Sequence, residues 1–418
     1  MTKLIKYFFL IFVCLIEAKP FESTYEPLPS ENILIKNANI YDGEGNEFQA
    51  TDLLIQNRKI VAIGKDLPAG SEFLIIDASG KWVTPGIIDI HSHMGVYPAP
   101  GVSTSSDGNE ATSPVTADVW AEHSIWVQDP QYALALKGGV TAFHILPGSA
   151  NLIGGRGVTV KNLQRNTINS MKFPDAPHSL KMACGENPKR VHNDEERGPS
   201  TRMGNLAHMR EIFRQAQDYQ KARKSDIPPT SDLNLETLID VLEGEIRVHI
   251  HCYRQDDIEG IYRVMDEFGI QVASFQHALE AYKVRDIIIE HGTAIATWPD
   301  WWGFKMEAYD ATPYNASIVK REGGVVAIHS DSAKTIQRLY TEAAKVIRYG
   351  ATEQEVLEMI TLDPAKMLGI EKRVGSIEVG KDADLALFSK HPLDVYTRVD
   401  MTWIDGEIVY QKEVSHER

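Results

Sequence analysis

Apolar, β-branched runs that end in a histidine or a carboxylate, with helix-patterned stretches between them, predict an α/β fold of the (β/α)8, TIM-like barrel type. Alternating strand and helix over such a length implies a parallel sheet. The 418 residues suffice for a barrel of about 250 to 300 residues with a smaller unit beside it. A hydrophobic content of 43% with 24% charged residues is that of a globular chain and excludes long disorder. The net charge of −15 argues against nucleic acid or an anionic membrane surface as partner.

In chain order, Lys3 and Lys6 precede the apolar run from Tyr7 to Ile16, followed by Glu17, Ala18, Lys19 and Pro20. A short positive segment before about ten apolar residues reads as a secretory signal over residues 1–18, too short for a stable membrane span. The expectation is an exported, soluble protein, periplasmic or secreted; lipidation at Cys14 is the alternative. Residues 33–84 then read as short strands separated by turns such as Asp42-Gly43 and Ser79-Gly80.

The segment from Val83 to His93, VTPGIIDIHSH, follows. On a strand, side chains at i and i+2 share a face, so His91 and His93 converge on one point, which suits a metal ion. The stretch from Met94 to Ala121 is a long Gly-, Ser-, Thr- and Pro-rich loop, expected to overhang that point. Four further strand-like runs place polar groups at their ends: SLKMACGE with Lys181 and Glu186, IRVHIHC with His249 and His251, QVASFQHA with His277, and VVAIHSDS with His329 and Asp331. Helical patterns lie at 210–224, 235–242 and 256–268, and the polar stretch 187–204 reads as a loop carrying Arg190 and Arg202. Cys184 and Cys252 fall on different predicted strands, are expected to act as small hydrophobes, and imply no disulfide. His144, His178 and His291 read as structural histidines. His329 shares that reading but stands on the same strand face as Asp331. Trp298, Trp301 and Trp302 read as packing that can also line a pocket.

Several of these motifs in order carry a resemblance. VTPGIIDIHSH, KGGVTAFHILPGSANLIGG (137–155), KMACGENPKR (181–190), the strand histidines, Asp331, ITLDPAKMLGI and VGSIEVGKDADLALF make the chain similar, over residues 32–413, to the amidohydrolase superfamily of metal-dependent hydrolases and its imidazolonepropionase-like group. The resemblance implies a barrel over 85–369 and a discontinuous β-sandwich domain from 32–84 and 370–414. It further implies that His91 and His93 on strand 1, His249 on strand 5, His277 on strand 6 and Asp331 on strand 8 hold one or two divalent ions. Imidazole and carboxylate donors suit Zn2+. His249 is preferred over His251, which then contacts substrate or supports a ligand. The bridging position is preferred for Glu186, with a carboxylated Lys181 as the alternative. Asp331 is the expected catalytic residue, shuttling a proton from water to a leaving nitrogen.

The implied activity is hydrolysis of a non-peptide carbon–nitrogen bond in an amide or cyclic amide. A dipeptidase, with Arg190 or Arg202 clamping a substrate carboxylate, is one alternative, and a non-catalytic metal-containing binding protein is the other. The expected partner is a small-molecule amide or short peptide, and a homo-oligomer is an open possibility.

Overall fold

The computed structural model describes residues 21–194 and 197–413; the expected signal segment and Cys14 lie outside them. Strands β1 (Ile33–Tyr41), β2 (Glu47–Gln56), β3 (Lys59–Gly64), β4 (Leu74–Asp77) and β5 (Trp82–Pro85) open the chain. The barrel strands follow: β6 (Ile87–Ser92), β7 (Val140–Ile145), β8 (Ile153–Lys161), β9 (His178–Ala183), β10 (Ile246–Cys252), β11 (Val272–His277), β12 (Ala294–Thr297) and β13 (Val326–Ile328). The last three, β14 (Leu385–Phe388), β15 (Val399–Ile404) and β16 (Glu407–Gln411), return to the first five.

The two ends of the chain share one hydrogen-bonded sheet in the order β16-β15-β14-β5-β1-β2-β3, with β4 also on β1. The two ends thus join in one β unit, hydrogen-bonded as a continuous sheet around a core that includes Ile35, Ile40, Leu53 and Trp403. Its hairpins are set by local chemistry. Asn57 and Arg58 both take positive φ between β2 and β3, and Asp405 and Gly406 do so between β15 and β16, the two-residue geometry that matches strand twist.

In the barrel the spatial order follows chain order from β6 to β13. Neighbours are parallel except β8, which runs antiparallel to both β7 and β9. The all-parallel expectation fails there because the link from Ile145 to Ile153 is too short for the helical crossover that parallel strands require. Helices over Arg202–Ala222, Leu233–Leu242 and Gln255–Phe268 cover the outside. They bury Met209, Phe213 and Ala216, then Leu238 and Val241, then Ile258, Ile261 and Met265 at helical spacing. Thr201 and Asp232 cap the first two by accepting from the Gly204 and Leu235 amides, and Gly269 ends the third in the left-handed region. The polar stretch read as a loop holds a helix of its own, Glu186–Asp194.

Cys184 and Cys252 form a disulfide, with Cα atoms 5.3 Å apart. This corrects the reading of two separate thiols. Although 68 positions apart in sequence, they sit at the ends of β9 and β10, which pair side by side, and the Cys184 amide donates to the His251 carbonyl at 2.8 Å. Such a separation lies within bridging range. Cys252→Ser opens that loop and is expected to lower unfolding stability by up to about 4 kcal/mol on loop entropy, seen as a lower denaturant midpoint. An unchanged midpoint in the variant would show that the bridge does not form.

Candidate metal centre

The barrel closes where β13 meets β6. There the Asp331 amide donates to the His91 carbonyl at 3.0 Å and the Ser330 amide donates to Asp89 Oδ1 at 3.1 Å. Asp331 itself takes φ 46° and His277 takes φ 72°, a left-handed conformation that costs free energy for a residue with a Cβ and gathers at functional sites. The reason at His277 is visible. Its neighbour Gln276 already points into the barrel to meet His91, and strict strand alternation would send His277 outward. The left-handed turn brings both side chains to the same interior.

Three acceptor atoms converge at the closure. His91 Nε2 and His93 Nε2 are 3.3 Å apart, and Asp331 Oδ1 lies 3.6 Å from the first and 3.2 Å from the second. Each imidazole uses its other nitrogen as a donor: His91 Nδ1 to Gln276 Oε1 at 2.9 Å, and His93 Nδ1 to the Leu146 carbonyl at 2.7 Å. In the neutral tautomers those bonds require, both Nε2 atoms carry bare lone pairs. Two lone pairs and a carboxylate facing one another repel unless a cation stands between them, so the donor set fits a divalent metal.

A second group overlaps the first. His91, His277 and His329 each offer a ring nitrogen within 4.8 Å of the others, and His91, His93 and Asp331 offer two ring nitrogens and a carboxylate oxygen within the same distance. His277 Nδ1 lies 3.2 Å from His329 Nε2, and the His251 ring is 4.6 Å from that of His277. Burial, with the nearby Lys181 charge, holds His91 and His251 well below the ordinary histidine value, and burial takes His329 down to about 3. For His277 burial dominates, followed by the neighbouring His251 and His91. These rings are neutral and available as ligands. Burial alone would raise Asp331, but its neighbours His93, His329 and Lys181 hold it below the usual carboxylate value.

Four of the expected site residues, His91, His93, His277 and Asp331, are thus brought together, with His329 added. Glu186 and His249 are not. Glu186 begins a helix beyond the strand end, is 28% exposed, and pairs with Lys305 at 3.3 Å. The alternative, Lys181, is 1% exposed inside the barrel, where burial draws its ammonium down to about 8 and its Nζ donates to the Pro147 carbonyl at 3.2 Å. His249 and His251 share a strand face, but His249 sits one layer lower, opposite Lys181, with its Nδ1 2.7 Å from Ser274 Oγ and its ring against His144. Arg202 is occupied by Asp257 and Glu307, at 2.9 and 2.7 Å, and Arg190 is exposed.

The sequence reading gave no role to Gln276, Ser274, Tyr253 or Lys305. Tyr253 stacks on His277 with Trp298 on the same ring, and Lys305 lies 4.0 Å over the Tyr253 face. Ser274 and Gln276 were detectable as an i, i+2 polar pair on an apolar strand. Tyr253 directly follows β10 and was detectable as an aromatic at a strand end, whereas Lys305 carried no signal, since only the folding of the 298–311 loop brings it there.

The model for the amidohydrolase family matches residues 228–409. The crystal structure of an amidohydrolase from Thermotoga maritima MSB8 superposes with a TM-score of 0.85 at 37% identity, covering 91% of this chain and 100% of that one. The chain belongs to the amidohydrolase superfamily. Amidohydrolase tasK of Hapsidospora irregularis is 32% identical over 91% of this chain, which spans only 43% of that longer protein. A dihydroorotase of Lactobacillus delbrueckii subsp. bulgaricus is 24% identical over 91% of this chain and 99% of its own. In this amidohydrolase the histidines and Asp331 stand at the strand ends, where barrels of this type carry their sites.

If the converging atoms hold the ion, His91→Ala is expected to lose bound divalent metal by elemental analysis while Glu186→Ala keeps it. A Glu186→Ala protein stripped of metal would put that carboxylate back among the ligands.

Proposed function

We propose that this amidohydrolase is a metal-dependent hydrolase of a non-peptide carbon–nitrogen bond, an amide or cyclic amide. The observation that carries the reading is the convergence of His91 Nε2, His93 Nε2 and Asp331 Oδ1 on one point. His91, His93 and Asp331 would hold one divalent ion, preferably zinc given nitrogen and oxygen donors, with His277, His329 and His251 available for a second. Lys181 is better placed than Glu186 to support a bridge, because it is buried beside the cluster and its amine is drawn toward the neutral form that carboxylation needs.

A bound divalent ion supplies Lewis-acid polarisation of the scissile carbonyl and acidifies a water. The chain's own groups do the rest. Asp331 is one-quarter exposed toward the mouth, so it can meet the attacking water, take its proton and return it to the leaving nitrogen. The Nδ1 bond of His93 to the Leu146 carbonyl fixes its ring, with Nε2 aimed at the point that Asp331 Oδ1 also faces. Tyr253, Trp298 and Phe304 form a wall beside His277 that excludes water and favours a planar substrate group. The occupied state of Arg202 removes one of the two carboxylate clamps expected of a dipeptidase. The disulfide supports export to an oxidising compartment.

Asp331→Asn tests the reading. The variant should retain its fold and much of its metal, while turnover of the best substrate in a panel of amides and cyclic ureides falls by about two orders of magnitude or more. A metal-replete variant of near-normal rate would remove Asp331 from proton transfer. A metal-loaded wild type inert toward the whole panel would favour a binding protein instead.

A further inference from the structure

Beneath the converging atoms a line of polar side chains joins His91 to His249, the expected ligand that stands apart from them, through two residues given no role by the sequence. His91 Nδ1 meets Gln276 Oε1 at 2.9 Å, Gln276 Nε2 donates to Ser274 Oγ at 2.6 Å, and Ser274 Oγ meets His249 Nδ1 at 2.7 Å. Gln276, Ser274 and His249 are wholly buried. Such a line is expensive to bury unless each member is matched, and its proton count decides its direction.

An amide nitrogen only donates, so Ser274 Oγ accepts from Gln276. The hydroxyl proton finds no acceptor other than His249 Nδ1 among the described residues, so it is satisfied only by donating there. A neutral His249 therefore holds its own proton on Nε2, and that atom is no lone-pair donor. At the other end, Gln276 Oε1 accepts from His91 Nδ1, leaving His91 Nε2 bare and facing His93 and Asp331. Rotating the Gln276 amide by half a turn reverses every bond: the bare Nε2 would pass from His91 to His249. The orientation of one amide thus chooses which of two histidines can bind a cation.

We propose that Gln276, Ser274 and His249 are positioning residues that set the tautomer of His91, with His249 terminating the relay instead of binding metal. This rests on the metal-centre reading above. It also accounts for a histidine on the expected strand, of the expected parity, that stands apart from both metal-competent groups. His249 Nε2 has no hydrogen-bond partner among the described residues and is the one unmatched end of the line.

The test is metal affinity of purified protein, measured by competition with a chromophoric zinc chelator, together with the pH profile of kcat/KM. Gln276→Leu removes the acceptor behind His91 and should weaken zinc binding about 10- to 100-fold. Gln276→Glu keeps an acceptor there and should restore affinity to within a few-fold of wild type. Its added charge makes His91 a stronger donor and should move the acidic limb of the profile to higher pH. His249→Phe should retain zinc stoichiometry, unlike His91→Ala. Unchanged affinity in Gln276→Leu, failure of Gln276→Glu to rescue, or loss of zinc in His249→Phe equal to that in His91→Ala would each overturn the relay. A wild type that binds no zinc would instead defeat the metal-centre reading itself, so the two failures are told apart by the unmutated protein.

Discussion

The seam between β6 and β13 is the constraint on which the site depends. These two strands are not joined by a continuous ladder; the sheet runs from one to the other the long way round. What closes the gap is the Asp331 amide on the His91 carbonyl and the Ser330 amide and hydroxyl on buried Asp89. Closing the barrel and assembling the three acceptor atoms are therefore one event, since the backbone that donates across the seam carries the carboxylate that faces His91 and His93. A change that loosens Asp89 should disturb the metal centre without touching a ligand.

A second set of buried charges fixes the barrel against the terminal sheet. Because β8 runs antiparallel, its last residue, Lys161, emerges at the strand-start end of the barrel, toward the sheet formed by the chain termini. Its ammonium is fully buried among Asp382, Asp384 and Asp405. Burial would lower that ammonium, but the three carboxylates hold it above its ordinary value. Asp382 is shared with Lys59 and Arg373, and Asp405 also accepts from Tyr25. Desolvating so many charges makes the cluster weak evidence for stability. Its geometric demand is strict, however: three carboxylates of the C-terminal segment, two of them also held by Lys59 and Tyr25 of the N-terminal one, must meet one lysine, which ties the discontinuous sheet to a single position on the barrel.

The sequence was legible wherever period and chemistry coincided. The HSH pair, the strand runs and the three long helices follow from periodicities of 2 and 3.6; the second and third helices lie within two residues of their expected ranges, while the first starts eight residues earlier, at Arg202. The resemblance pointed to both termini joining one β unit. What stayed hidden was lateral. That β9 and β10 are neighbours with aligned ends, so that Cys184 meets Cys252, is a property of the barrel and not of either strand. The reversal of β8 was concealed because a strand looks alike in either direction. Glu186 appeared to be a strand-end ligand only because the strand was assumed to continue; it stops at Ala183, and Glu186 belongs to the helix that follows.

His249 and His251 show the limit most clearly. Parity assigns both to the barrel interior, and no period distinguishes them. Height does: His251 aligns with Gln276 and His249 with Ser274, one layer deeper. The upper layer presents nitrogen lone pairs to a common point, while on the lower layer His249 Nδ1 is taken up by the Ser274 hydroxyl, which Gln276 also meets. Imidazole suits both tasks because its two nitrogens exchange roles when a single proton moves. The same residue type can thus bind an ion or orient the group that binds it, and the choice lies with the neighbouring strand's donor or acceptor. On β11, that neighbour is Gln276.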